Sequence, residues 1–216
     1  SAVYERNQSQ VYEISSVSIG QRRLKNLALN YLMSLEDPQI DRICMAQFET
    51  ADNMTDVMAA LQGLVNRDIP QRDRALNDFE AKWQGDPLVM DKWFAVQAGS
   101  NLPETLASVQ TLMEHPAFSI RNPNKVRSLI GAFCSTNLSA FHAADGSGYE
   151  FLADQVITLD ALNPQIAARL LRIMSRWRRY DESRQELMRK AFERVLAQAD
   201  ISKDVFEIAS KSVADE

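Results

Sequence analysis

Apolar residues recur along this chain at three- and four-residue spacing, with short polar breaks between the runs. From about Gly20, the positions Leu24, Leu27, Ala28, Tyr31, Leu32 and Leu35 fall on one side of a helix. Asp37-Pro38 closes that helix and opens the next, with Asp as cap and Pro in the first turn. Ile40, Ile43, Cys44 and Phe48 form its apolar face. Met54, Val57, Met58, Leu61, Leu64 and Val65 predict a helix from about Asn53, and Ala75, Leu76, Phe79 and Trp83 another that stops at Gly85-Asp86-Pro87. Two more follow, through Trp93 and Phe94, and from Leu106 to Met113 before His115-Pro116. A central apolar helix starts at Asn122-Pro123 and carries Val126, Leu129, Ile130 and Phe133 on one face. After the turn cluster Asp145-Gly-Ser-Gly148, helices are expected over 149–162, from Pro164 to about Tyr180, through Leu187 to Leu196, and over 201–214.

About eleven helices and no strand make the fold class all-α. The first helix of each successive pair begins near residues 20, 53, 87, 122 and 163, at intervals of 33, 34, 35 and 41. Repeated helix pairs of this length indicate an irregular α-solenoid of stacked pairs, HEAT- or armadillo-like. The helical domain is placed at 19–216. Residues 1–18, polar and Ser-rich, are expected to be an extended lead-in or the remnant of a preceding helix.

Composition narrows the function without giving it. A chain of 216 residues is long enough to bury a large core without staples. A net charge of −5 argues against nucleic-acid binding, which wants surplus Lys and Arg. The two cysteines, Cys44 and Cys134, sit in apolar patterns and are read as small buried hydrophobes in a reducing compartment. No apolar run is long enough for a membrane span, and the start resembles no signal peptide, so a cytoplasmic location is expected. The missing initiator Met reads as a chain excised from something longer.

Candidate chemistry is sparse. His115 and His142 are far apart and single, unlike the paired histidines of a His-Glu-x-x-His zinc site, and both are read as structural. Gly146-Ser147-Gly148 lacks the spacing and preceding strand of a nucleophile elbow and is read as a turn capping the next helix. The segment 165–180 holds five Arg and no acid, with Arg169, Arg172 and Arg176 on one helical face. Arg172 onward is read as a solvated face. Gln165 and Arg169, one turn apart, could read a carbonyl or carboxylate.

Several segments in one order resemble the bacterial aminopeptidase N family. They are Asn53–Leu61, Lys82-Trp83, Asp86–Ala98, His115-Pro-Ala-Phe118, Asn122–Phe133, Phe141–Tyr149 and Leu162–Leu170. The likeness runs from about Ile19 over nearly the whole chain. It implies the C-terminal helical domain of a zinc-dependent alanyl aminopeptidase, a stack that covers the catalytic domain and encloses a cavity over the zinc. That family's zinc-binding and catalytic motifs are not in this chain, so no catalytic residue and no metal ligand are assigned here. The resemblance implies that this domain gates access and touches the far end of short peptide substrates through Arg127, Gln165 and Arg169. Zinc would belong to the parent enzyme's catalytic domain, which is the expected partner. Where the family often has Arg, this chain has Lys125. The alternative is a free-standing α-solenoid adaptor for a partner protein.

Overall fold

Three Asx-Pro dipeptides set the helix starts in the computed structural model, which describes residues 2–8 and 12–214. Asp37 Oδ1 accepts the Gln39 N–H at 2.7 Å, Asn122 Oδ1 accepts from Asn124 at 3.0 Å, and Asn163 Oδ1 accepts from Ile166 at 3.2 Å. In each case Pro occupies the first helical position, where its missing N–H costs nothing. Every regular element among the described residues is helical: fourteen α-helical segments, one π-helical turn and two 3-10 turns. That exceeds the expected eleven because a helix also forms near the start and the central helix is subdivided. The chain separates into two units, Ser1–Asp86 and Pro87–Glu216.

The first unit holds α1 (Ala2–Arg6), α2 (Ser16–Met33), α3 (Pro38–Thr50), α4 (Met54–Leu64) and α5 (Pro70–Trp83). Part of the expected lead-in is therefore helical; Ser1 and residues 9–11 lie outside the described residues. Leu29, Cys44, Ala60, Leu61, Leu64, Ala75 and Phe79 form the core. The Cys44 thiol donates to the Ala60 carbonyl at 3.3 Å, and burial, reinforced by nearby Asp41, pushes its pKa up to about 12.

The apolar face expected for α2 is the face that points outward. Leu24, Leu27 and Tyr31 are exposed, and the buried side carries Ser18, Arg22, Lys25, Leu29 and Met33. Lys25 Nζ meets Asp56 Oδ2 of α4 at 2.6 Å. Asn26 and Asn53 donate to the same carboxylate, while Gln47 donates to Asn26 Oδ1 and accepts from the Tyr4 hydroxyl. A polar network with its partners in place can be buried at tolerable cost. Helical periodicity shows that an apolar face exists, not which neighbour it meets.

The second unit holds α6 (Pro87–Ala98), α7 (Thr105–Leu112), α8 (Pro123–Val126), a π turn (Arg127–Gly131), α9 (Ala132–Thr136), α10 (Leu138–Phe141), α11 (Ser147–Asp160), α12 (Pro164–Leu171), α13 (Glu182–Leu196) and α14 (Lys203–Val213). Its core centres on Val126, Leu129, Ile130, Phe133, Phe141, Tyr149, Leu152 and Phe192, all fully buried. Each buried aromatic or aliphatic side chain contributes roughly 1.5–3 kcal/mol. Phe133 meets Phe141 and Phe151 edge-on, at centroid distances of 6.2 and 5.6 Å. The Asp145–Gly148 cluster is the expected turn. Gly146 adopts a left-handed φ of 77°, and a Cβ on Gly148 would stand 2.2 Å from the Phe141 carbonyl oxygen.

The helix expected to run from Pro164 to about Tyr180 ends instead at Leu171. Two 3-10 turns follow, Arg172–Met174 and Trp177–Arg179. Trp177 Nε1 and Arg178 Nη1 both donate to the Ser212 carbonyl at 2.9 Å, satisfying the C-terminal end of α14. These contacts bend the segment away from the α-helical path, so Arg169, Arg172 and Arg176 do not share one regular helical face.

Candidate functional site

A cleft of about 300 Å³ in the second unit is bounded by the central helix on one side and α12 on the other. The central helix offers Pro123, Arg127, Gly131 and Ser135, four residues apart each time. In a regular α-helix that spacing drifts by about 40° per step, because four residues overshoot a 3.6-residue turn. The π turn over Arg127–Gly131 widens one turn and counters the drift. From α12 come Ile166, Arg169, Leu170 and Ile173, at the spacing of one helix face.

Arg127 and Arg169 thus stand on opposite walls of one apolar-floored cleft, and both are exposed. Arg127 donates through Nη2 to the Asn124 side-chain oxygen, which orients its guanidinium. Ser135 is committed to the Gly131 carbonyl at 2.6 Å. Such a cleft can take an apolar group and pair a carboxylate with a guanidinium fork.

Gln165 lines a different cleft. It faces a neighbouring hollow of about 350 Å³ with Arg169, Arg172, Asp204, Glu207 and Ile208. Arg169 belongs to both hollows; Gln165 and Arg127 do not share one. The carboxylates on α14 went unread in the sequence because nothing local signals that α14 crosses α12. A hydrogen bond from Lys211, 2.7 Å away, holds the Glu207 carboxyl below the ordinary range, and the charge of Arg172 adds to it. By contrast, Gly131 and Ser135 were legible as i+4 and i+8 partners of Arg127.

Lys125 faces away from both clefts. It is buried, pairs with Asp91 at 2.7 Å, donates to the Pro87 carbonyl at 2.7 Å and sits over the Phe94 ring. Its role is to tie the central helix to α6.

The histidines are structural. His115 Nδ1 accepts the Ala117 N–H at 3.1 Å and its ring packs on Trp93 and Phe94. His142 bonds the Tyr149 hydroxyl at 2.9 Å and the Tyr180 hydroxyl at 3.0 Å. Burial, with the Arg184 charge nearby, lowers its pKa and favours the neutral ring. Among the described residues no three His, Cys, Asp or Glu side chains gather to hold a metal. With both cysteines buried and protonated, these residues do not fit a zinc site. No helix of the described residues is long and apolar enough to cross a membrane.

A helical stack with an arginine-walled cleft is the architecture of the family described as a domain of unknown function with ARM repeats, DUF3458_C, whose pattern matches residues 1–214. The chain belongs to that family. It is 41% identical to aminopeptidase N of Escherichia coli K12 over 213 residues, which is 99% of this chain and 24% of that protein. Aminopeptidase N of Haemophilus influenzae is 44% identical over 202 residues, or 94% of this chain and 23% of the relative. The crystal structure of Legionella pneumophila aminopeptidase A in complex with aspartic acid superposes with a TM-score of 0.89 at 32% identity, over 97% of this chain and 25% of that one. The chain therefore spans about a quarter of the length of these proteins, and in the aminopeptidase N relatives the matched quarter is the C-terminal part.

Proposed function

We propose that this chain is the non-catalytic C-terminal domain of a zinc-dependent, cytoplasmic aminopeptidase. In this reading it covers the active site, gates access by size and contacts the far end of short peptides. The observation that carries it is the near-complete match to the C-terminal quarter of the aminopeptidase N relatives. The cleft walled by Arg127 and Arg169 supports the substrate role, because a peptide's terminal carboxylate is what a guanidinium holds through charge-assisted hydrogen bonds worth roughly 1.5–3 kcal/mol. Gln165, on the adjoining hollow, would meet a longer peptide past Arg169. The zinc and the bond-breaking groups belong to the catalytic domain of the same polypeptide. This domain's share is positioning.

The test compares this chain alone with the same chain mixed with the separately expressed upstream part, in added zinc. Silence alone and restored cleavage of a longer peptide on mixing is the expected result. Turnover of an alanine amide by this chain alone, with stoichiometric zinc bound, overturns the reading. So does the absence of any association between the parts.

A further inference from the structure

The outward face of α2 is a continuous apolar strip. Val17, Leu24, Leu27 and Tyr31 follow at spacings of seven, three and four, and are 71, 47, 53 and 72% exposed. Ile14 before the helix and Leu35 after it, at 82 and 66% exposure, prolong the strip at both ends. An eighteen-residue helix is about 27 Å long, so the strip runs well beyond the scattered apolar residues normal on a surface.

Gly20 lies within the same strip, one turn from Leu24. A Cβ there would meet no heavy atom within 4 Å, so nothing in this chain accounts for a glycine in the helix interior. A second helix crossing closely at that point would. The other side of α2 is already occupied by the Lys25–Asp56 pair, Leu29 and Met33.

We propose that this strip is the seat of a helix from the same polypeptide, lying upstream of Ser1 and continuing the helical stack. The inference rests on the reading that this chain is the C-terminal part of a longer one. The terminal repeat of a stack needs a polar outer face to stay soluble, and the outer face of α2 is apolar. The aminopeptidase N relatives extend for about three quarters of their length before the matched region, at the end of the chain where α2 lies. A straight strip with three- and four-residue ridges is the surface against which another helix packs.

The experiment uses the intact polypeptide with the photo-crosslinker p-benzoylphenylalanine at Tyr31, and Leu27→Glu in both the intact polypeptide and this 216-residue chain. The expected crosslink joins position 31 to the helical segment just upstream. Leu27→Glu is expected to lower the melting temperature of the intact polypeptide by about 3 °C or more and to leave that of the short chain unchanged. A crosslink to a second copy or to the zinc-bearing part overturns the proposal, as does an equal effect of Leu27→Glu in both forms. Peptidase activity of the unsubstituted polypeptide is read separately. The upstream crosslink without activity would sink the functional reading and leave this one standing.

Discussion

Lys25 Nζ and Asp56 Oδ2 stand 2.6 Å apart on the buried side of α2, with side-chain exposures of 8 and 6%. Removing one partner leaves the other charge buried without its counterion. Lys25→Ala is therefore expected to cost about 3–5 kcal/mol, while Lys25→Met combined with Asp56→Leu should cost far less. Urea unfolding of the single and double variants checks this. Equal losses in both would show that the pair matters only as packing volume.

The same carboxylate makes stability depend on acid. Burial alone would raise the Asp56 pKa, but the hydrogen bonds from Lys25, Asn26 and Asn53 outweigh it and hold it below the ordinary value. The folded state thus binds fewer protons than the unfolded state below about pH 4. The stabilisation is complete above that pH and is lost as pH falls through the folded-state pKa. Asp56→Asn should be less stable than the unsubstituted chain at pH 7, with the gap narrowing from about pH 5 to pH 3. Parallel unfolding midpoints across that range would contradict the assignment.

Arg169 lines both hollows. In the intact polypeptide Arg169→Ala is expected to reduce kcat/KM for a longer peptide by about 10-fold or more, the loss of one charge-assisted contact, with a small chromogenic amide much less affected. Arg127→Ala should weaken the longer substrate too, and Gln165→Ala should matter only for peptides long enough to reach the second hollow. Kinetics on a series of peptide lengths decides the matter. Equal loss on every substrate would mean that these residues act through folding.

Two glycines should respond in opposite directions to Ala. Gly148→Ala drives a Cβ into the Phe141 backbone and is expected to cost 3 kcal/mol or more, about the upper end for overpacking. Gly20→Ala meets open space in this chain and should stabilise it by about 1 kcal/mol, or roughly 2–4 °C. Thermal melts of the two variants test both signs.

How far the sequence carried depended on whether the signal was local. Asx-Pro starts, the Gly146–Gly148 turn and the apolar faces of the central helix and α13 are short-range features, and the structure keeps them. The inverted face of α2 was not legible, because Leu24 and Lys25 are neighbours in sequence and only the position of Asp56 decides which one turns inward. The end of α12 at Leu171 was hidden for a similar reason. It depends on Trp177 and Arg178 reaching the Ser212 carbonyl, 35 and 34 residues away. At the candidate site, Arg127 and Arg169 were found from motifs, but that Gln165 falls on the far side of Arg169 follows from where α14 lies.

The π turn at Arg127–Gly131 makes the cleft sensitive to chain length rather than to side-chain identity. It holds one residue more than a regular turn. Deleting a single residue there would let the helix run as α throughout and rotate everything after it by about 100° relative to Pro123. Ser135 and Ala132 would leave the wall, and Phe133 would leave the core. The cleft and the core thus share one phase along this helix, so descendants of this chain can change the wall's residues freely while insertions and deletions in these five positions are closed to them.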